Sequence, residues 1–452
     1  MTATIPTALP MTHLVDPHCG VVRAVRDFPR LPGLPDEFVS CVADVADTRR
    51  FADWPTDRIA AGTAFGDREV AWSAAVGEAV ERYCGNNVPP DLPVATSRQL
   101  TDAGVDHTTP AELPAFHRAQ FDRPGFPYLP FTADAPVRWA TGQLPDGAPV
   151  RVPAGLIYLN YHRGPRRDDP RTHHLNYTGI ATGVGSADAT ARGLAECLER
   201  DAMTTWWLLD RGGTPIDTDS VPGLRTDLVG CPFDLRLIAL PSDFGPAVVG
   251  ALVIDRSNAI PAAGFSANVD PARAARKAVL EALQVWIATH GLLEPDGPSR
   301  RAVAAGIFHP RAYLPHRPDR DYLTVAGDHF ENVRDLAAQT QLWLDRRLHP
   351  LADRFTGRGP AIPVDAVPTS GWPETRQRLA AAGHRVITVD VTTPDVAETG
   401  LTVMRVLVTG LQPNSPAAFP YLGTRRLARL AAAAGRPAPA PWTVTLAPPP
   451  HN

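Results

Sequence analysis

One short pattern occurs twice in this chain, as Ser73-Ala74-Ala75-Val76-Gly77-Glu78-Ala79-Val80-Glu81-Arg82 and as Ala191-Arg192-Gly193-Leu194-Ala195-Glu196-Cys197-Leu198-Glu199-Arg200. Residues three and four apart stack along an α-helix, so each copy puts two carboxylates and a guanidinium on one helical face. Glu78 and Glu196 are 118 residues apart, too far for a tandem array. In the first helix Trp72, Val76, Val80 and Tyr83 fall on the opposite side, while Ala71, Ala74 and Ala75 share the side of the glutamates. In the second, Leu194 and Leu198 point away, and Ala189 and Gly193 lie beneath the acids. A solvated acidic face carries long polar neighbours, so a floor of Ala and Gly predicts close approach by another helix or by a ligand. A third segment, Ala274–Gln284, repeats the alanine seven residues before a glutamate, Glu281, and carries an amide, Gln284, as its second polar group.

A single E-x-x-E-R is ordinarily an exposed ion pair worth only about 0.3–0.5 kcal/mol. Two copies pose a different problem. Carboxylates about 4 Å apart repel by about 4 kcal/mol at an effective dielectric near 20, so converging acids need a strong cation or must protonate. Oxygen donors favour Mg²⁺ or Ca²⁺ over zinc, and Mg²⁺ is usually held by a few carboxylates together with substrate phosphates. Glu78, Glu81, Glu196 and Glu199 are therefore the candidate metal ligands, and a magnesium nucleotide is the expected guest.

Much else is excluded. A chain of 452 residues, 44% hydrophobic with net charge −4, has enough apolar content for one large or two ordinary domains and no basic excess for nucleic acid. Met1–Pro10 lacks the charged and apolar parts of a signal peptide, and no run of about 18 apolar residues suggests a membrane span, so a cytoplasmic protein is expected. Five scattered cysteines without a C-x-x-C pair read as inert thiols, and the histidines, including the loop pair His173-His174, show no zinc spacing. Lys277 is the sole lysine, so arginine does almost all cationic work and a P-loop is excluded. Gly183-Val184-Gly185 begins like a dinucleotide fingerprint, but Asp188 stands in place of the third glycine. No G-x-S-x-G, H-R-D or D-F-G element supports a hydrolase or kinase reading, since the one D-F-G, Asp243-Phe244-Gly245, stands without an H-R-D.

Along the chain, residues 1–50 read as an extended, proline-punctuated segment, 51–430 as the catalytic body and 431–452 as a proline-rich tail, stiff and extended. Leu144-Pro145-Asp146-Gly147 predicts a hairpin between 137–141 and 149–157. Glycine-spaced stretches, 58–67 and 179–185, precede the acidic helices and read as flexible turns whose N–H groups meet an anion. The charged stretch 164–169 reads as an exposed loop. Paired strands are expected at 233–240 with 247–254, and buried strands at 386–391 and 403–408. Helices are expected at 333–347 and 372–382. Without a regular βαβ rhythm, the fold class is α+β with a pseudo-repeated core around a nucleotide site.

The paired motifs, with Gly179-Ile180-Ala181-Thr182-Gly183 before the second and Glu199-Arg200-Asp201 followed by Trp206-Trp207 after it, resemble the YcaO family. The likeness runs from Leu14-Val15-Asp16-Pro17 through Glu281 and Gln284 to Gly410-Leu411-Gln412-Pro413 and Leu422-Gly423-Thr424-Arg425-Arg426-Leu427. In particular it resembles the azoline-forming cyclodehydratase component of peptide natural-product biosynthesis. The resemblance implies an ATP- and Mg²⁺-dependent enzyme. In that chemistry a Cys, Ser or Thr side chain of a ribosomally made precursor peptide attacks the preceding amide, ATP phosphorylates the resulting oxygen, and elimination closes a thiazoline or oxazoline.

By the same resemblance Glu78, Glu81, Asp188, Glu196, Glu199 and Gln284 bind the nucleotide, and Arg82 and Arg200 are catalytic. The tail end, His451 or the Asn452 carboxylate, serves as a base or an anchor. Val184 stands where the family has asparagine, and Asp188 where it has glutamate. The residues before the first motif are too few for a leader-gripping module, so a partner of the E1-like or ocin-ThiF type is expected to deliver the precursor. A flavin dehydrogenase would convert azolines to azoles, and a homodimer is compatible with the chain. The alternatives are a YcaO protein making a thioamide or macrocyclic amidine, or a non-catalytic scaffold that binds precursor or partner.

Overall fold

The computed structural model describes residues 9–50 and 56–452. β1 (Val22–Asp27), β2 (Phe38–Val45) and β3 (Ile59–Phe65) form an antiparallel sheet in that order, and β3 runs directly into helix α1 (Arg68–Gly85). After β4 (Val94–Ala95), β5 (Val137–Gln143) and β6 (Pro149–Pro153), strand β7 (Ile180–Val184) runs into α2 (Ser186–Leu209). β8 (Thr214–Ile216), β9 (Asp234–Ala239), β10 (Ala247–Asp255) and β11 (Ile260–Asn268) form a second antiparallel sheet, ordered β11-β10-β9-β8, and β11 runs into α3 (Pro271–His290). The last strands, β12 (Val386–Asp390) and β13 (Leu401–Val408), complete a six-stranded sheet ordered β4-β5-β12-β13-β7, with β6 on β5. The expected hairpin and β9/β10 pairing are present, and the two expected strands β12 and β13 also pair with each other. Among the described residues no helix is long and apolar enough to cross a membrane.

Three strand-to-helix units thus repeat, one more than the acidic motif alone reveals. Each helix lies back along its own strand and also touches the next unit's strand: α1 meets β7, α2 meets β11, and α3 meets β3. The ring closes on itself. The Ala and Gly floor is what permits this packing. A Cβ on Gly62 would stand 2.2 Å from the Ala71 carbonyl oxygen and 2.3 Å from the Ala75 nitrogen, and one on Gly264 would stand 2.2 Å from the Ala278 oxygen. The close neighbour beneath each acidic face is therefore the preceding strand rather than a second helix. The glycine-spaced stretches, expected as flexible turns, are strands, because a strand backbone without side chains is what lets a helix settle on it.

Two other expectations are corrected. The helix expected over 333–347 is shorter, α4 (Leu336–Leu342), and the chain then follows a 3-10 path over Arg346–Thr356 around Pro350, which cannot continue α-helical hydrogen bonding. The 164–169 stretch is not wholly exposed, since Arg166 is buried, its guanidinium stacked over Tyr161. The 372–382 helix is α5 (Trp372–Ala381), and α6 (Arg425–Ala433) precedes the proline-rich residues.

Those last residues enter the body of the protein. Ala447, Pro448, Pro449, Pro450 and His451 are buried. Proline offers a carbonyl and no N–H, so Pro448–Pro450 can only accept main-chain hydrogen bonds, and the His451 amide donates locally to the Pro449 oxygen at 2.8 Å. Donors meet it at four points: Trp207 Nε1 to the Ala447 oxygen (2.7 Å), Trp343 Nε1 to Pro448 (3.0 Å), the Ala263 amide of β11 to Pro450 (2.7 Å) and Gln339 Nε2 to His451 (3.3 Å).

Candidate active site

The carboxylates on the three helices follow one rule. The first acid of each bonds an amide at its own strand: Glu78 accepts from Ala61 (2.9 Å), Glu196 from Gly179 (2.9 Å) and Glu281 from Phe265 (3.3 Å). The second bonds the next unit's strand: Glu81 accepts from Thr182 (2.7 Å) and Glu199 from Ala267 (3.2 Å). Strand amides do meet an anion here, and it is the protein's own carboxylate. Gln284 holds the corresponding place on α3, the helix that touches β3. One oxygen of each glutamate is spent on the backbone, which fixes the acids in a row, and the second oxygen of Glu78, Glu196, Glu199 and Glu281 faces a cationic side chain.

Charge balance along the row is incomplete. Arg82 pairs with Glu78 at 2.8 Å and lies over the Tyr177 ring, whose hydroxyl bonds Asp57 at 3.2 Å. Arg200 stands 3.5 Å from Glu199 and 3.8 Å from Glu196, and Lys277 stands 3.8 Å from Glu281. Burial pushes the Glu81 carboxyl up to about 8, outweighing the Thr182 amide that favours its charged form, and the nearby Glu78 and Glu196 add to the rise. Glu199, 3% exposed, also rises to about 8 through burial, with Arg200 opposing and Glu281 reinforcing the shift. For Arg200, burial works against the charge, but Glu199, Glu196 and Glu281 outweigh it and hold its pKa above the ordinary arginine value.

The Glu199 Oε1 atom is buried and has no hydrogen-bond partner. Its nearest cation is Arg200 Nε at 3.5 Å, and a buried carboxylate oxygen without a hydrogen bond costs several kcal/mol unless protonated or bound closely to a cation. Among the described residues no three His, Cys, Asp or Glu side chains surround a single point. A row with one orphaned oxygen fits Mg²⁺, which keeps waters and phosphate oxygens in most of its positions and takes only one or two protein carboxylates. Of the four expected ligands, Glu199 carries the oxygen without a hydrogen bond, whereas Glu78 Oε1 is taken by Arg82 at 2.8 Å.

The other expected residues lie around this row. Asp188 sits at its outer end, 40% exposed, accepting from the Val184 amide at 3.1 Å and pairing with Arg192 at 3.1 Å. Val184 beside it is 80% exposed. His451 is buried at the inner end, with Nε2 against the Arg200 guanidinium. Its Nδ1 donates to the Ala263 carbonyl at 3.1 Å, so the ring is the Nδ1-protonated neutral tautomer. Burial first and Arg200 second hold its pKa well below 6.5. Asn452 is exposed next to it.

Glu281, singled out by the alanine seven residues upstream but not placed among the ligands, joins the row as a fifth acid. Two further groups took roles the sequence did not show. Lys277 is its counter-charge, and only the fold shows that the sole lysine points there. Asp201 forms a buried two-point pair with Arg426 of α6 and accepts from the Gln412 amide at 2.8 Å, so the acid after Glu199-Arg200 anchors α6 instead of binding a ligand. The cysteines next to the motifs are buried, and burial raises Cys84 and Cys197 to about 12, which suits inert thiols.

Comparison with known proteins agrees with this architecture. The chain covers 97% of itself and 56% of a solved heterocyclase in complex with substrate and cofactor, at TM-score 0.68 and 18% identity. It also matches YcaO from Methanopyrus kandleri bound with AMPPCP and Mg²⁺, at TM-score 0.56, 20% identity and 86% of both chains. The E. coli microcin synthetase McbBCD complex gives TM-score 0.51 at 13% identity, over 85% of this chain and 86% of that one. A curated relative, an uncharacterised protein of Methanothermobacter thermautotrophicus, is 27% identical over 230 residues, 48% of this chain; the chain spans about half the length of that relative. A family model described as YcaO cyclodehydratase, ATP- and Mg²⁺-binding, matches residues 65–412, and by that match the chain belongs to the YcaO family.

Proposed function

We propose that this protein is an ATP- and Mg²⁺-dependent cyclodehydratase that converts Cys, Ser or Thr residues of a ribosomally made precursor peptide into thiazoline or oxazoline rings, with a partner protein delivering the peptide. The observation that carries this reading is the row of five carboxylates on three helices, ending in the orphaned Glu199 Oε1 beside Arg200. Bound Mg-ATP supplies the phosphoryl group that activates an amide oxygen for loss as phosphate. The chain's own task is electrostatic. Glu81, Glu196 and Glu199 would hold the cation, one or two of them directly and the rest through its waters, while Arg82 and Arg200 would offset charge where it develops on the phosphoryl oxygens, the step at which positioning and electrostatics supply most of the rate. The Nε2 lone pair of neutral His451 accepts from the Arg200 guanidinium and so positions it. Gln284 continues the row with a neutral amide and Asp188 closes its outer end.

The test is cyclisation by the purified chain with its partner and precursor. ADP and phosphate should appear together with loss of one water mass per ring, and Glu196→Ala should abolish both. ATP consumption with intact peptide would refute the reading. Exchange of oxygen for sulfur would favour thioamide formation instead.

A further inference from the structure

We infer that the recess between α2, the 412–421 loop and the proline-rich tail seats an apolar residue of the substrate peptide, one or two positions from the residue being cyclised. This rests on the cyclodehydratase reading and extends it to sequence selection. The recess is open to solvent, with Met203, Trp207 and Leu208 of α2 forming one wall, Leu446 and Pro449 of the tail another, and Gln339, Asn414 and Ser415 adding uncharged polar groups. No charged side chain lines it. It is therefore unsuited to phosphate, metal or an ionised side chain, any of which would be left unpaired.

Its place relative to the acids follows from helix geometry. Arg200, Met203, Thr204 and Trp207 recur at three- and four-residue spacing on α2, so the recess continues along the face that carries Arg200. Neighbours at that spacing stand about 5–6 Å apart, the reach of one to two residues of extended peptide at about 3.3 Å each. Pro449 lies two residues before His451, which touches Arg200 from the tail side.

The polar groups in the recess ask for a donor. Gln412 is 0% exposed. Its Nε2 donates to the Tyr421 carbonyl at 3.1 Å, which fixes the amide orientation and leaves Oε1 as an acceptor without a partner. Thr204 Oγ1, on the opposite wall, is likewise buried and unpartnered. Unpaired buried acceptors are costly, and a peptide supplies the missing N–H groups together with an apolar side chain.

The experiment is a competition in one tube. Full-length chain, partner and two precursor peptides differing only at a neighbour of the cyclised residue, Leu against Asp and Leu against Ala, are followed by mass, each neighbour being scanned in turn. The wild type should cyclise the Leu peptide at least tenfold faster than the Asp peptide at one neighbour position. Leu208→Trp, which narrows the recess, should lower the Leu-to-Ala ratio about tenfold. A wild-type Leu-to-Asp ratio within twofold at every neighbour would overturn the inference while cyclisation itself still stood. An unchanged Leu-to-Ala ratio in Leu208→Trp, with both rings still formed or with only the KM for ATP altered, would also overturn it. Absence of rings in every peptide with the wild type would instead refute the parent reading, and this one with it.

Discussion

Glu199 offers a perturbation that separates a ligand-holding acid from a structural one. Its pKa lies near 8 in the folded protein against an ordinary 4.5. Below about 4.5 both folded and unfolded chains hold the proton; between there and 8 only the folded chain does, so the stability Glu199 contributes falls as pH rises through that window and levels off above it. One group gives a slope of at most about 1.4 kcal/mol per pH unit. At about 2 cal/mol/K per residue, a chain of this length shifts Tm by only about 1 °C per kcal/mol. Between pH 5.5 and 7.5 the metal-free wild type should therefore lose about 2–3 °C relative to Glu199→Gln, whose amide keeps an acceptor for the Ala267 N–H and never titrates.

Mg-ATP should reverse the ranking. It stabilises the wild type by holding the ionised carboxylate, whereas Glu199→Gln should lose at least tenfold in Mg-ATP affinity by calorimetry. Scanning fluorimetry with and without nucleotide reads both effects. Parallel wild-type and variant Tm profiles across this pH range, or undiminished Mg-ATP binding by the variant, would refute the assignment.

Gly62→Ala places a methyl 2.2 Å from the Ala71 oxygen and should destabilise the protein by more than about 2 kcal/mol, whereas Gly77→Ala, with nothing within 4 Å of its new Cβ, should gain about 0.5–1 kcal/mol of helix propensity; thermal melts of the two variants check this. Arg426→Met leaves Asp201 charged and buried, a loss of about 3–5 kcal/mol, seen as faster proteolysis around α6. Trp343→Phe removes the donor to the Pro448 carbonyl, which should cost about 1 kcal/mol and raise hydrogen exchange at Ala447 and His451.

Much of the site was legible in the linear chain because its chemistry is local to helices. A spacing of three carries Glu78 with Glu81 and Glu196 with Glu199 onto one face whatever the tertiary fold, and repulsion between acids demands a cation. The small residues beneath them announced a close neighbour. What that neighbour was depends on contacts between distant segments. Gly62 and Gly179 looked like hinges because glycine marks turns and tight packing alike, and the choice is made by whether a helix lies on the backbone. Arg166, in a charged stretch that reads as solvent-facing, is buried against Tyr161 by its fold partners.

From its own residues, then, the chain determined that acids would be paired on helices, that arginine would carry almost all positive charge, and that the family would be YcaO. Only the tertiary structure decided that three units close into a ring, because α1 and α2 each bond a strand belonging to the next unit, more than 100 residues away for Glu81 and Thr182 and more than 60 for Glu199 and Ala267, and α3 packs back on β3. It also decided that the proline-rich end lies against Arg200. Three consecutive prolines have no N–H with which to build secondary structure that would reveal their path, and the segment's position is set by Trp207, Trp343, Ala263 and Gln339, donors that no local pattern connects to it.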